Sequence, residues 1–544
     1  MKRLLLLLAL VGAMTATAAE RPTHVYLIGD STCANKKLEK QNPERGWGHL
    51  FRAFFDEEVV VENHAMNGRS TKSFREEGRW EPIYNGMQAG DYVLIQFGHN
   101  DEKVDRPKVG SVPEVFAENL RRYVRETREK GGTPILLTPI ARRHFTEEGV
   151  LKKTHGVYPD AVRRVAEEEQ VPLLEMEQLT ERWLTELGDV PSRNYFVWVE
   201  AGTSPLYPDG REDNTHLNVR GAHVVARMVA AELKRIQCPL ADHFEIADFV
   251  VAKDGTGDFF TLTEAIAAIP DFNPSMAKIR LSEGVYREKI AIPWTKRNVH
   301  LYGVGNAVVS WGDYAGKQGV LGHKVGTSGS STIYFGASGW QVEDVTFENT
   351  AGRVGQAVAV QTLANNIRFR NCRFLGNQDT LYVHGNGNKE TPQNETTWVY
   401  FEKCYIEGTV DFIFGASAAL FVDCHIHSKS DSYVTAASTP PGLPCGFAFV
   451  NCRLTAAEGV TRCYLGRPWR DYAQTVFIDC ELGEHILPEG WHNWDKPHAE
   501  QTVYYGECNS KGAGAAKTKR VKWSKQLSRK EAEAYLEKFQ VRSF

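Results

Sequence analysis

The chain has 544 residues, 42% hydrophobic and 24% charged, which is the balance of a globular protein and not of a disordered or fibrous one, and it is too long for one ordinary domain. Its formal net charge of −4 disfavours long-range attraction to nucleic acid or any other polyanion, so an acidic polymer would have to be held by local contacts.

Residues 1–19 carry a basic start (Lys2, Arg3), an apolar core from Leu4 and small residues before Glu20, the pattern of a secretory signal cleaved after Ala18 or Ala19. Cleavage removes two positive charges and predicts an exported bacterial protein, periplasmic or extracellular. No later run approaches the roughly 20 apolar residues that span a bilayer, so no membrane span is expected. Ten cysteines in an exported chain permit disulfides. Five of them recur in one repeated position, which favours a ladder of mostly free thiols.

Residues 20–238 alternate apolar strand-like runs (24–30, 59–63, 92–97, 134–138) with helical stretches such as 112–130 and 219–236, which predicts an α/β domain with a flavodoxin-like parallel sheet. Ligands gather at the carboxyl ends of such strands. The polar blocks fall there: Gly29-Asp30-Ser31-Thr32, Asn67-Gly68-Arg69-Ser70, Gly98-His99-Asn100-Asp101, and Asp213-Asn214-Thr215-His216 before the last helix. On its own, Gly29-Asp30-Ser31 reads sooner as a helix N-cap than as a nucleophile. Four blocks in order suit acyl transfer, with Ser31 attacking an ester, His216 taking its proton and Asp213 orienting the imidazole. The Ser31 and Gly68 amides and the Asn100 side chain would hold the oxyanion. Residues 239–247 are expected to be a linker, with the second domain at 248–544.

In that second domain a strand, a Gly-rich turn and a short amphipathic helix over 249–269 precede an internal repeat, and the helix suits a cap over an open solenoid end. The repeat is Phe-x-x-Cys-x-apolar at Phe369-Cys372-Phe374, Phe401-Cys404-Ile406, Phe421-Cys424-Ile426, Phe449-Cys452-Leu454 and Phe477-Cys480-Leu482, with cysteines 32, 20, 28 and 28 residues apart. One strand per repeat predicts a right-handed parallel β-helix. Phe and Cys have opposite parity, so a bend at the residue before each cysteine is needed for both to point inward. The 32-residue spacing is inflated by the polar run 385–397, which can loop out without disturbing the stack.

Asp379 and Asp411 each follow a repeat cysteine by seven residues, which places them on neighbouring coils about 4.7–4.9 Å apart. Two carboxylates that close cannot both ionise easily, so one stays protonated, and the pair can serve as acid and nucleophile. The same offset reaches Asp431 on the next coil, expected to be a solvated turn residue. Gln356, Gln378 and Arg467 are polar neighbours of this region, and Tyr382, Phe414 and Trp469 are either core or a binding surface.

Two resemblances sharpen these readings. The stretches YLIGDSTCA, NHAMNGRSTKSF, QFGHND and DNTHLNVRGA resemble the SGNH (GDSL-type) hydrolases, most closely the rhamnogalacturonan acetylesterase branch, which implies the roles just given to Ser31, Gly68, Asn100, Asp213 and His216. GQAVAV (355–360), GNQDTLYVHG (376–385), GTVDFIFG (408–415) and YLGRPW (464–469) resemble the pectin methylesterases, as do AKDGTGDFFTLTEAI and the closing YYGECNSKGAGAAKTKRVKW. That second resemblance implies Asp411 as nucleophile, Asp379 as acid and then base, Gln356 and Gln378 as oxyanion donors, and Arg467 as the partner that keeps Asp411 charged. Thr327, Tyr382, Phe414 and Trp469 would bind the sugar chain. Pectin, methyl-esterified and acetylated, is then the expected partner of a bifunctional carbohydrate esterase. No cofactor or metal is expected, since no ligand cluster has convincing spacing. The alternatives are a β-helical depolymerase or a glycan-binding solenoid, either with an attached acetylesterase. An oxyanion hole at Gln356 and Gln378 has no use at an acetal carbon and favours the ester reading.

Overall fold

The computed structural model describes residues 21–56, 58–320, 322–385 and 396–539, so the signal at 1–19 and most of the polar run at 385–397 lie outside the described residues. The chain divides into two compact units that meet between Ile246 and Ala247.

Unit 1 is built on five parallel strands, Thr23–Gly29, Val59–Asn63, Tyr92–Gln96, Thr133–Leu137 and Leu173–Leu174, in the order second, first, third, fourth, fifth. Alternate residues of a strand face opposite sides. Val25, Leu27 and Leu94 therefore join one core with Val225, Val229 and Leu233 of the helix Val219–Arg235. Tyr26, Ile28, Val93 and Ile95 join another with Phe116, Leu120 and Val124 of the helix Pro113–Glu129. Burial on both faces explains why these strands read as continuous apolar runs. The strand order reverses between the first and third strands, which opens a crevice at their carboxyl ends.

Two expectations are corrected in unit 1. Asp213 and His216 do not lie at an end of the parallel sheet; they lie on Arg211–Leu217, which pairs antiparallel with Phe196–Val199 across a register shift. The polar run DNTH carries no β-pattern, and its strand exists only through that pairing. Residues 239–246 are not a free linker either. Pro239–His243 is a 3-10 turn, Leu240 is buried in the unit 1 core, Phe244 packs on Phe55 with ring centroids 4.8 Å apart, and Glu245 N–H donates to Phe54 O at 2.9 Å.

Unit 2 is a parallel β-helix with one seventeen-strand sheet and one seven-strand sheet. The repeat phenylalanines pair in register from coil to coil, and their rings stack at 5.1, 4.5, 4.4 and 4.5 Å. Each residue before a repeat cysteine, Asn371, Lys403, Asp423, Asn451 or Asp479, has left-handed backbone with φ between 52° and 55°. This is the expected bend, and Asn and Asp suit it because their short polar side chains tolerate that region. The turns also brace each other, Asn451 Nδ2 donating to Asp423 Oδ1 at 2.5 Å and Asn509 Nδ2 to Asp479 Oδ1 at 2.7 Å. The ten cysteines are free and buried. In the ladder each thiol reaches carbonyl groups, Cys424 Sγ for example lying 3.3 Å from Val422 O.

The helix Leu262–Ala268 closes the first coil, with Thr261 and Glu264 forming a capping box and Leu262, Ala265 and Ile266 buried against Val251, Ile279 and Leu281. Phe421 has no exposed surface and lies between Phe401 and Phe449. Replacing it by Ala removes contacts on both sides and is expected to cost about 3–5 kcal/mol, read as a lower urea midpoint for the β-helix.

Candidate active sites in the two units

In unit 1 the crevice collects the four polar blocks. Gly29 ends the first strand where a Cβ would sit 2.5 Å from Gln96 O, so only glycine lets the two strands deliver their loops together. Asp30 is fully buried and shapes the turn, its Oδ1 accepting from Thr32 N at 2.9 Å and Thr32 Oγ1 at 2.8 Å. Ser31 is left facing His216, with Oγ 3.0 Å from Nε2. On the other side of the ring, His216 Nδ1 lies 2.9 Å from Asp213 Oδ2, and Asp213 Oδ1 accepts from the amides of Thr215 and His216 at 2.8 and 2.9 Å. Burial works against the Asp213 charge, but these bonds from His216 and Thr215 outweigh it and hold the carboxyl well below the usual carboxylate range. Ser31, His216 and Asp213 thus form one hydrogen-bonded chain, the arrangement that a nucleophile, base and orienting carboxylate would need.

Gly68 has φ +75° and open space where a Cβ would be, a left-handed turn that leaves its surroundings clear. Asn100 is buried, donates through Nδ2 to Arg69 O at 3.0 Å and accepts at Oδ1 from Lys103 Nζ at 2.7 Å. Those two contacts orient the amide with its nitrogen on the side of the second block. Asp101 ties the blocks together by accepting from Thr71 N at 3.0 Å and Thr71 Oγ1 at 2.6 Å; burial pushes its carboxyl up to about 7. Lys36, invisible to motif reading, donates to Ser31 O at 2.7 Å and Asn67 Oδ1 at 2.6 Å and so clamps the first block to the second.

In unit 2 the seven-strand sheet carries the other constellation. Leu381–Val383 pairs with Ile413–Gly415, Leu381 facing Ile413, so Asp379 and Asp411 stand two residues before matched positions on adjacent coils. Both have left-handed backbone, with φ 66° and 49°, and both are buried, at 7% and 6% exposure. Arg467 makes a two-pronged ion pair with Asp411, Nε to Oδ1 at 2.9 Å and Nη2 to Oδ2 at 2.6 Å. Among the described residues no such partner serves Asp379. Burial pushes Asp379 up to about 8, the Asp411 charge adds to this, and Arg467 offsets part of it. Burial also raises Asp411, while the Arg467 hydrogen bonds pull it back. Of the two carboxyls, Asp379 is therefore the one held further toward its protonated form, since it lacks the two-pronged contact that Arg467 gives Asp411.

Asp431 is the solvated turn residue expected, although the seven-residue offset does not place it opposite Asp411. Thr435 is the residue that pairs with Ile413, so Tyr433 takes the place matched to Asp411. The turn after the Cys424 strand is two residues longer than its predecessor, and Asp431 is exposed, accepting from Thr461 N and Arg462 N. Tyr433 then packs on Arg467, whose guanidinium lies 3.8 Å from that ring and 3.6 Å from the ring of Trp494. Neither aromatic belongs to the repeat pattern, and only the fold brings them to the arginine.

Tyr382 and Phe414 stack at 4.1 Å on the outer face of the sheet, with Trp469 tilted 6.2 and 5.8 Å from them. Gln378 directly precedes Asp379, and its carbonyl accepts from Ala357 N at 3.0 Å, which brings Gln356 of the neighbouring coil alongside. The Gln356 and Gln378 side-chain amides make no hydrogen bond among the described residues, which leaves their N–H groups available. Thr327 lies on the short helix Gly326–Gly329 and is joined to Gln356 through Ala315: Gly326 N donates to Ala315 O at 2.9 Å and Ala315 N to Gln356 O at 2.8 Å. Among the described residues one trio, Asp56, Glu58 and His243, could offer three atoms to a metal ion, and it belongs to neither constellation.

The family model described as Pectinesterase matches residues 248–544, and that described as GDSL-like Lipase/Acylhydrolase family matches residues 27–224. Pectinesterase QRT1 of Arabidopsis thaliana is 37% identical over 299 residues, 53% of this chain and 75% of that protein. Pectinesterase 31 of the same plant is 36% identical over 292 residues, 52% of this chain and 88% of that protein. Rhamnogalacturonan acetylesterase RhgT of Bacillus subtilis (strain 168) is 41% identical over 224 residues, 41% of this chain and 95% of that protein. The chain belongs to the pectinesterase family through its β-helical unit, fused behind a GDSL-like acylhydrolase unit.

Proposed function

We propose that this carboxylic ester hydrolase modifies pectin with two separate esterases. Unit 2 hydrolyses C6 methyl esters of galacturonate through an acyl-enzyme on Asp411, and unit 1 removes O-acetyl groups by serine catalysis. The observation that carries the first reading is the asymmetric buried pair, Asp411 bound bidentately by Arg467 and Asp379 buried beside it, pushed up to about 8. Asp411 attacks the ester carbon, Gln356 and Gln378 donate to the oxyanion, and Asp379 gives its proton to the departing methoxide, which leaves as methanol. Asp379, now ionised, takes a proton from water as it attacks the acyl-enzyme, which restores both groups. Thr327, Tyr382, Phe414 and Trp469 hold the sugar chain. In unit 1 His216 takes the Ser31 proton during attack and returns it to the leaving sugar hydroxyl, with the Ser31 and Gly68 amides and Asn100 on the oxyanion. No described helix is long and apolar enough to cross a membrane.

Methanol and acetate measured in parallel on pectin of defined substitution test both readings. Release of both without loss of viscosity is expected; chain cleavage would favour a depolymerase. Arg467→Lys is expected to lower methanol turnover about 10–100-fold, because a point-charge ammonium replaces neither the two-pronged pair nor the fit between Tyr433 and Trp494.

A further inference from the structure

Of the twelve tryptophans, eleven are buried or half-buried, and Trp294 stands 69% exposed. It lies two residues after the first strand of the seven-strand sheet, Ile290–Ile292, with Pro293 between. Beside it Phe272 is 44% exposed, the two rings meeting edge to face at 5.1 Å and 74°. Phe272 has φ +54°, a left-handed backbone that a bulky residue adopts only under constraint. The constraint is a set of braces between its loop and the Trp294 loop: Phe272 N donates to Thr295 O at 2.8 Å, Asn298 Nδ2 to Asn273 O at 2.7 Å, and Lys296 Nζ to Ile269 O at 2.5 Å. The two loops thus hold both rings outward in fixed geometry, although turning them inward would bury apolar surface.

The third member is Arg297, exposed, with its guanidinium 5.4 Å from the Phe272 ring centre and no ion-pair partner among the described residues. The neighbouring carboxylate, Asp271, is taken by Lys296 Nζ at 3.1 Å. A rigid aromatic corner with an unpaired guanidinium fits a pyranose whose apolar face stacks on the rings and whose carboxylate meets the arginine fork. A protein partner would need a broader apolar face than two rings.

We propose that Trp294, Phe272 and Arg297 form a second, non-catalytic binding site for galacturonan bearing free carboxylates, the de-esterified product of unit 2. Only the identity of the polymer rests on the methylesterase reading. Trp294 and the aspartates flank strands of the same sheet: the strands that follow Asp379 and Asp411 are third and fourth beyond Ile290–Ile292 in the sheet order, about 14–20 Å across the sheet at one strand spacing each, with Trp294 past the end of its strand and the aspartates before the start of theirs. A polymer of several sugar units spans that distance, so product held here keeps the enzyme on the chain it is de-esterifying.

The test uses the full chain carrying Asp411→Ala, so that binding is read without turnover, and affinity electrophoresis in gels containing polygalacturonate. Trp294→Ala is expected to weaken retention about 5-fold or more, Trp294→Phe to restore part of it, and Arg297→Ala to weaken it and flatten its dependence on salt. Phe272→Asn, which suits left-handed backbone, is expected to lose retention while keeping the melting temperature. In the otherwise unaltered chain, Trp294→Ala should keep methanol release from short methylated oligomers and raise the apparent KM for long pectin. Unchanged retention in Trp294→Ala overturns the site. A concentration-dependent dimer lost in Trp294→Ala overturns it too, since the occupant is then a second copy of the chain. Failure of the unaltered enzyme to release methanol would refute the esterase reading and leave the binding result standing.

Discussion

Asp411→Ala is expected to abolish methanol release, a loss on the order of 10⁴-fold or more, because no acyl-enzyme can form and the remaining groups supply only binding and oxyanion contacts. Asp379→Ala should fall severely as well, since methoxide is a poor leaving group without a proton. The pH dependence separates the two roles. Asp379 must be protonated to act as acid, and burial with the Asp411 charge beside it pushes it up to about 8. Methanol release should therefore hold on the neutral side of about 8 and fall tenfold per pH unit above it. The same group sets a stability trend. A carboxyl raised above its unfolded value contributes stability that is full below the ordinary carboxylate range and lost as pH rises through about 8. Asp379→Asn, which removes the titrating group, should then flatten the decline of the melting temperature between pH 5 and 8 while remaining inactive. Wild-type methanol release from Asp411→Ala would refute the nucleophile assignment, and wild-type methanol release from Asp379→Asn would refute the acid.

Ser31→Ala is expected to lose acetate release by a comparable factor and to keep methanol release, with Asp411→Ala giving the reverse. The reason is that each unit holds its own complete set of groups: Ser31, His216 and Asp213 in one hydrogen-bonded chain, and Asp379, Asp411 and Arg467 on adjacent coils of the other. A cut for separating the units belongs at Ile246 and Ala247, since removing Leu240 or Phe244 from unit 1 would open its core. Joining the two sites raises the local concentration of the second for a strand bound at the first. That benefit should appear only on doubly substituted pectin at low enzyme concentration, as a faster rate for the intact chain than for an equimolar mixture of units. Equal rates would reject the tethering benefit; loss of both products in Ser31→Ala would reject independence.

Much of this protein is written in local pattern. Solenoid coils repeat, so Phe401, Cys404 and Ile406 have counterparts a fixed distance away and the ladder can be counted in advance. The α/β unit is legible because strands buried on both faces are apolar throughout and its helices keep a 3.6-residue period. The pairing of Asp379 with Asp411 follows from the same register. What the repeat could not carry is a change in turn length: two extra residues after the Cys424 strand moved the matched position from Asp431 to Tyr433. Only the tertiary structure set Tyr433 and Trp494 on the two sides of Arg467, joined Ser31 to His216 across 185 residues, and drew 239–246 into the first core. Those contacts depend on where distant loops meet, and a loop has no period from which its end point can be read. The sequence by itself determined the coils, the sheet and the two sets of candidate groups, because each obeys a local spacing; which aromatics, cations and amides surround them was decided by packing between segments that share none.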